Sequence, residues 1–205
     1  MKKKTVIYSV FFGILVLVFF FVLNKVVPGF RESRFPPIGT VQPFQFVNQD
    51  SVLVTREDVK GKWLVVEYFF TTCDGICPLM NKNMKRVYDK FKDDDRMLIL
   101  SHTCDPKNDS PARLKHYADS LQIDTRRWVF LTGRKDSLYN MARFSYKIDD
   151  PNNNMKTPDD DFLHSQFWAL VDREGNVRKI YDGLKRKEVD QMMADLEKMM
   201  LEAGK

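Results

Sequence analysis

Cys73 and Cys77 are the residues whose types and spacing point most directly to chemistry. They stand in the stretch YFFTTCDGICPLMNKNM, residues 68–84, between an apolar run ending at Phe70 and a helical pattern opening at Pro78. Three residues separate them, so the motif is CxxxC and not the CxxC of thioredoxin-type redox loops. If the loop winds helically, positions i and i+4 share a face one turn apart. The two sulfurs can then close on one small object or on each other. Thr71, Thr72, Asp74 and Gly75 are loop residues, which sets this pair apart from cysteines used as small core hydrophobes. A loop beyond the carboxyl end of a strand is where open α/β sheets place their sites. A helix N-terminus also favours a thiolate.

Of the three histidines, His164 stands out. It ends a long polar loop immediately before an apolar strand, at a place where a thioredoxin-type order has a proline beside the thiol loop. Two thiolates and an imidazole form a soft three-coordinate set suited to copper, with a further position open. His102 and Cys104 follow the second core strand and could extend the thiol site, but a buried thiol and a hydrogen-bonded turn histidine is the reading preferred for them. His116 falls on a helix surface. Met80 and Met84 lie on the inner stripe of an amphipathic helix, where methionine normally packs. Glu67 is the one polar residue of an otherwise apolar strand.

The elements that position these groups are readable from periodicity. Residues 63–70 form a continuous apolar strand, as expected of one buried on both faces. An amphipathic helix covers 78–92, with Pro78 at its first position. A second core strand spans 97–101, and Ser110 caps a helix over 111–121. A short strand at 128–131 and a helix over 135–144 follow. Residues 147–162 are a long polar loop, and 166–171 and 177–181 form a hairpin before a closing helix over 187–201. Two short apolar runs within 44–54, around Asn48–Asp50, predict an earlier hairpin. The order βαβα, βα, ββα is that of an α/β, thioredoxin-like sheet with an extra N-terminal β-hairpin.

The start of the chain is different in character. After three lysines in residues 1–4, positions 5–23 carry no charge and are rich in Val, Phe, Leu and Ile. That length suits a bilayer-spanning helix, and no small-residue cleavage site or lipid-accepting cysteine follows it. The expected layout is a cytoplasmic tail (1–4), a transmembrane signal anchor (5–27), a proline-bearing extended linker (28–43) and a thiol domain (44–205). The lysines before the span belong inside, which puts the domain outside a bacterial cytoplasmic membrane as a single-pass protein.

The net charge of +5 is mostly this anchor. Four of the 33 basic residues and none of the 28 acids lie in residues 1–29, leaving 29 against 28. That balance, with no aromatic stacking platform, excludes nucleic acid as a partner. Three cysteines make no disulfide framework for an exported domain, so the close pair is better explained by chemistry than by stapling.

Together these residues resemble the Sco (SenC) family of cytochrome c oxidase assembly. The resemblance covers about residues 40–203 and rests on FFTTCDGICPLM (69–80), CDP (104–106), FLTG (130–133), HS followed by LVDREG (170–175) and YDGLKRKEV (181–189). The family usually has valine or isoleucine where Cys104 stands, and an acidic residue where Leu163 stands. The resemblance implies one copper ion per chain, held by Cys73, Cys77 and His164. It also implies delivery of that copper to the binuclear copper site of an oxidase subunit. The corresponding partners would be the oxidase's copper-binding subunit, other periplasmic copper carriers and thioredoxin-like reductants. On this reading the chain is a metallochaperone and not an enzyme.

The alternative within the same residues is a thiol–disulfide oxidoreductase that reduces the oxidase's copper-binding cysteines. Cys73 would attack, Cys77 would resolve, and a Cys73–Cys77 disulfide would form. His164 discriminates between the two, because a dithiol exchanger does not need it. A peroxidase ranks last, since no single peroxidatic cysteine stands with a nearby arginine. A copper-responsive redox sensor would use the same three residues.

Overall fold

The computed structural model describes residues 2–26, 36–150, 163 and 165–203. Two units are present. The first holds helix α1 (Lys2–Val26), within which Lys3–Leu23 is long and apolar enough to cross a bilayer. The second begins at Pro37.

The second unit is built on strand β4 (Trp63–Phe69), all seven residues of which are buried. β4 lies between β5 (Met97–Thr103), which runs parallel to it, and β7 (Phe167–Val171), which runs antiparallel. With β1 (Gly39–Thr40), β2 (Gln45–Asn48), β3 (Leu53–Thr55), β6 (Trp128–Thr132) and β8 (Asn176–Asp182), they form one sheet in the order β1-β8-β7-β4-β5-β6-β2-β3. The β2–β3 hairpin expected near the N-terminus is present and adds to the β6 edge. β1 pairs with β8, so the folded unit takes in the last residues of the stretch read as linker; Val41 is buried there.

Helices cover both faces, and the sequence shows why each one forms. In α2 (Cys77–Phe91), Met80, Met84, Val87 and Phe91 recur at helical spacing and are all buried, with Pro78 in the first turn, where its missing N–H is not needed. In α3 (Pro111–Ser120) the Ser110 side chain accepts from the Arg113 N–H at the cap. On the face that carries Val65, Glu67 and Phe69, Tyr88 of α2 meets Trp128 and Tyr117 of α3 stacks on Phe69. The closing helix α5 (Arg186–Glu202) is tied to β8 through the Tyr181 hydroxyl, which donates to Asp195. Each fully buried ring of this kind contributes on the order of 2 kcal/mol through lost water contact.

The opposite face carries Leu64, Val66 and Tyr68 and is closed by α4 (Lys135–Asn140), whose Leu138 carbonyl accepts from the Tyr68 hydroxyl at 2.6 Å. The single helix expected over 135–144 is divided here. After Asn140 the chain widens into a π turn, Met141–Ser145, closed by Tyr146 N–H donating to the Met141 carbonyl. The extra residue brings the Ser145 hydroxyl to the Gln42 N–H, 2.9 Å away, and so fastens the turn to the β1 end of the unit.

β5 runs two residues further than its apolar pattern indicates, so His102 and Thr103 belong to the strand and not to a turn. His102 lies on the α4 face, fully buried and stacked on Tyr68, with Phe44, Phe46 and Tyr146 around it. Neither of its ring nitrogens has a hydrogen-bond partner among the described residues. Burial pushes this imidazole down to about 3, so it stays neutral in the fold. The unfolded chain takes up that proton near the ordinary value of about 6.5. The associated stability is therefore present above pH 6.5 and lost as pH falls towards 3. We expect His102→Phe, which keeps a ring and removes two unpartnered nitrogens, to raise the melting temperature, with a larger gain at pH 4.5 than at pH 8. Calorimetry at the two pH values measures it; an equal or negative shift at both would contradict this account.

Candidate thiol site

The C-terminal ends of β4 and β5 carry the site. β4 stops at Phe69 because Thr71, Thr72, Asp74 and Gly75 leave the apolar pattern, and the chain re-enters regular structure at Cys77 in the first turn of α2. Cys73 N–H donates to the Phe70 carbonyl at 3.2 Å, closing a tight turn that lifts Cys73 to the rim. Cys73 is half-buried, whereas Cys77 is only 5% exposed. Both are free thiols. Burial pushes the Cys77 thiol up to about 12, the hydrogen bond it shares with Cys73 adds to that, and a backbone contact with Phe70 opposes it. The pair therefore combines one accessible sulfur with one held protonated behind it. A cleft of about 470 Å³ runs from Cys73 along α2 and α3, past Asn81, Lys82 and Tyr117.

Cys104 lies one residue beyond β5, its N–H donating to the Phe69 carbonyl at 2.7 Å. It is buried, and burial together with the neighbouring Cys77 raises its thiol well above the ordinary range. His102 is in the aromatic box on the α4 face, away from the thiol loop. Met80 and Met84 are core residues of α2. The residues on either side of His164 are anchored. Leu163 is buried with its N–H donating to the Tyr139 hydroxyl, and Ser165 donates to the Ile148 carbonyl at 2.7 Å just before β7. His164 itself lies outside the described residues. Among the described residues, no group of three His, Cys, Asp or Glu side chains is placed to hold a metal ion.

Two carboxylates behind the loop carry more than their sequence context indicated. Glu67, on the α2 face of β4, accepts from the Ser101 hydroxyl at 2.6 Å, and that hydroxyl accepts from the Trp128 indole at 2.7 Å. Trp168 leans on the same carboxyl, although its Nε1 and Glu67 Oε2 reach no hydrogen-bond geometry among the described residues. Burial lifts Glu67 to about 7, against the pull of Ser101 and Trp168. Asp109 is buried against Thr71 and Thr103 at the base of the loop. In the sequence it reads as the residue before a helix cap; a polar residue one step outside a Ser-Pro helix start was the only signal of a further role.

A mixed sheet with a paired-thiol loop at its strand ends, the second thiol opening a helix, defines a thioredoxin-like dithiol protein. The chain belongs to the SCO1/SenC family, whose sequence profile matches residues 35–201. It is 32% identical over 172 residues to the SCO1 protein homolog of Bacillus subtilis, covering 82% of this chain and 86% of that protein. It spans 44% of the mitochondrial Sco2 protein of Saccharomyces cerevisiae, a longer relative. Among solved structures, BsSco superposes with a TM-score of 0.67 at 31% identity, over 80% of this chain and 96% of that one. That structure identified a disulfide switch in BsSco, a member of the Sco family of cytochrome c oxidase assembly proteins. Arabidopsis thaliana ScoI with copper bound superposes at 0.63 and 27% identity, over 80% of this chain and 99% of that one.

The unequal burial of the thiols has a direct consequence. Iodoacetamide at pH 8 should modify Cys73 first, with Cys77 and Cys104 reacting only as the protein opens or unfolds. Peptide mapping by mass spectrometry reads the order, and modification of Cys77 ahead of Cys73 would show that the loop is arranged otherwise in solution.

Proposed function

We propose that this chain is a membrane-anchored copper-binding protein that serves cytochrome c oxidase assembly, holding one copper ion on Cys73, Cys77 and His164. The observation that carries this reading is the pair of free, hydrogen-bonded thiols at the sheet's rim, one accessible and one buried, in a chain of this family. Support for including His164 comes from the described residues on either side of it in the chain. Leu163 and Ser165 are fastened at the head of β7, and β7 pairs with β4, the strand that leads into the thiol loop.

Copper is cargo on this reading, and transfer is ligand exchange. Binding displaces the protons of both thiols, and a partner thiolate then enters on the exposed side where Cys73 lies. Cys73 would leave first and take up a proton, Cys77 would follow with its own proton, His164 would let go as a neutral imidazole, and the ion would pass to the oxidase's copper-binding subunit. A site of few, soft ligands holds copper without trapping it. The apolar helix α1 would tether the domain as a single-pass anchor in a bacterial cytoplasmic membrane, with the thiol domain on the outer side.

A second reading draws on the same asymmetry. With Cys73 accessible and Cys77 behind it, the pair is ordered as an attacking and a resolving thiol. Cys73 thiolate would attack a partner disulfide to form a mixed disulfide. Cys77 would then displace the partner, so that two electrons and two protons move to the partner's cysteines and Cys73–Cys77 becomes the disulfide.

Titrating Cu(I) into the reduced, detergent-solubilised chain against a competing chelator separates the two. The copper reading predicts one ion per chain, binding abolished by Cys73→Ser and weakened at least about tenfold by His164→Ala, since even a partner outside the ligand set costs that much. Affinity indifferent to His164 would remove the histidine from the site and put the thiol–disulfide reading first.

A further inference from the structure

We infer that Asp109 is the positioning residue of the thiol loop, acting through Thr71 to set the peptide that holds Cys73. This rests on the reading above that the Cys73–Cys77 pair is the working group.

Asp109 sits 38 residues along the chain from Thr71 and is 1% exposed. Its carboxylate accepts three hydrogen bonds. Thr71 Oγ1 donates to Oδ1 over a very short contact, Thr71 N–H donates to Oδ2 at 3.2 Å, and Thr103 Oγ1 donates to Oδ2 at 2.5 Å. Asp109 is itself fixed by its own N–H donating to the Asp105 carbonyl at 2.9 Å, and Asp105 N–H donates back to Thr103 Oγ1. One buried carboxylate thus ties together the ends of β4 and β5.

The consequence for the site lies in a single peptide plane. The unit joining Phe70 to Thr71 presents its N–H to Asp109 on one side and its carbonyl to Cys73 N–H on the other. Fixing the first fixes the direction of the second, and with it the turn that lifts the accessible thiol. Arg113 completes the arrangement. Its Nε donates to Thr71 Oγ1 at 2.7 Å and lies 3.8 Å from Asp109 Oδ1, so the buried charge has a cation beside it. A carboxylate accepts from all three donors; an amide could keep the two bonds at Oδ2, but its N–H₂ would meet Thr71 Oγ1, reverse that bond and remove the charge that faces Arg113. Helix capping does not account for this, since Ser110 caps α3 and the Asp109 side chain points to the loop.

The test compares Asp109→Asn, Thr71→Val and Thr71→Ser with the parent in the full chain. Three quantities are read: the Cys73–Cys77 midpoint potential in a thiol redox buffer, the rate of Cys73 alkylation, and Cu(I) affinity. Asp109→Asn and Thr71→Val should each change alkylation rate and copper affinity by about 10-fold or more, the range in which partners outside a ligand set act. The midpoint potential should move with them. Thr71→Ser, which keeps the hydroxyl, should restore parent values, and the double variant should be no worse than either single one. Should Asp109→Asn fail to fold, Thr71→Val at its half-buried position carries the comparison. Variants that melt earlier yet keep alkylation rate and Cu(I) affinity within twofold of the parent, with the midpoint potential unmoved, would overturn the inference and leave Asp109 a structural tie. If the parent binds no copper, the copper reading fails, while potential and alkylation still decide the role of Asp109.

Discussion

Everything in the folded unit depends on β4 being buried along its whole length. Seven consecutive residues with neighbours on both edges and helices on both faces leave no side chain of that strand free for solvent chemistry. Reactivity is therefore displaced to the strand's end, where the chain must turn and where backbone groups need partners other than the ladder. The thiol loop occupies that position. Its turn, the Cys104 N–H bond to Phe69 and the carboxylate of Asp109 are the substitutes for the hydrogen bonds that the strand no longer supplies.

The two faces of the sheet then take different work. The α4 face is nearly all apolar and aromatic, and it absorbs His102 as one more ring among Phe44, Phe46, Tyr68 and Tyr146. The α2 face carries the polar exceptions, Glu67 and Ser101, bonded to each other and to Trp128 behind the thiols. Burying a carboxyl is costly unless it is bonded or neutral. Glu67 meets that demand partly by the Ser101 bond and partly by holding its proton up to about pH 7. A negative charge on Glu67 adds only a small part to the rise of the Cys77 thiol, which burial dominates.

Three cysteines stand near one rim, yet burial and backbone ties give them three degrees of access. Cys73 is reachable, Cys77 is hydrogen-bonded behind it, and Cys104 is enclosed just beyond the C-terminal end of β5. The difference arises from position on strand ends and not from residue chemistry, which is the same for all three. A loop built this way offers one sulfur to a partner while keeping the second close at hand.

Local pattern carried much of this protein. A continuous apolar run, a proline at the start of an amphipathic helix and a loop-type setting for CxxxC are properties of neighbouring residues. The core strands, most helices, the early hairpin and the thiol loop are therefore legible in the sequence, whereas β1 lies in the stretch read as linker and the helix over 135–144 is divided by the π turn. The long apolar helix α1 is legible for the same reason, since nineteen uncharged residues need no tertiary context. What the sequence could not contain was partnership across long separations. The burial of Cys77 over Cys73, the placement of His102 on the far face, the π turn that reaches Gln42 and the bonding of Asp109 to Thr71 each depend on which strands lie side by side. Hydrophobic period and turn chemistry act within a few residues, whereas the surroundings of His102, the Gln42–Ser145 bond and the Asp109–Thr71 bonds join residues tens of positions apart. They exist only once β4, β5 and β7 have been brought together by burial.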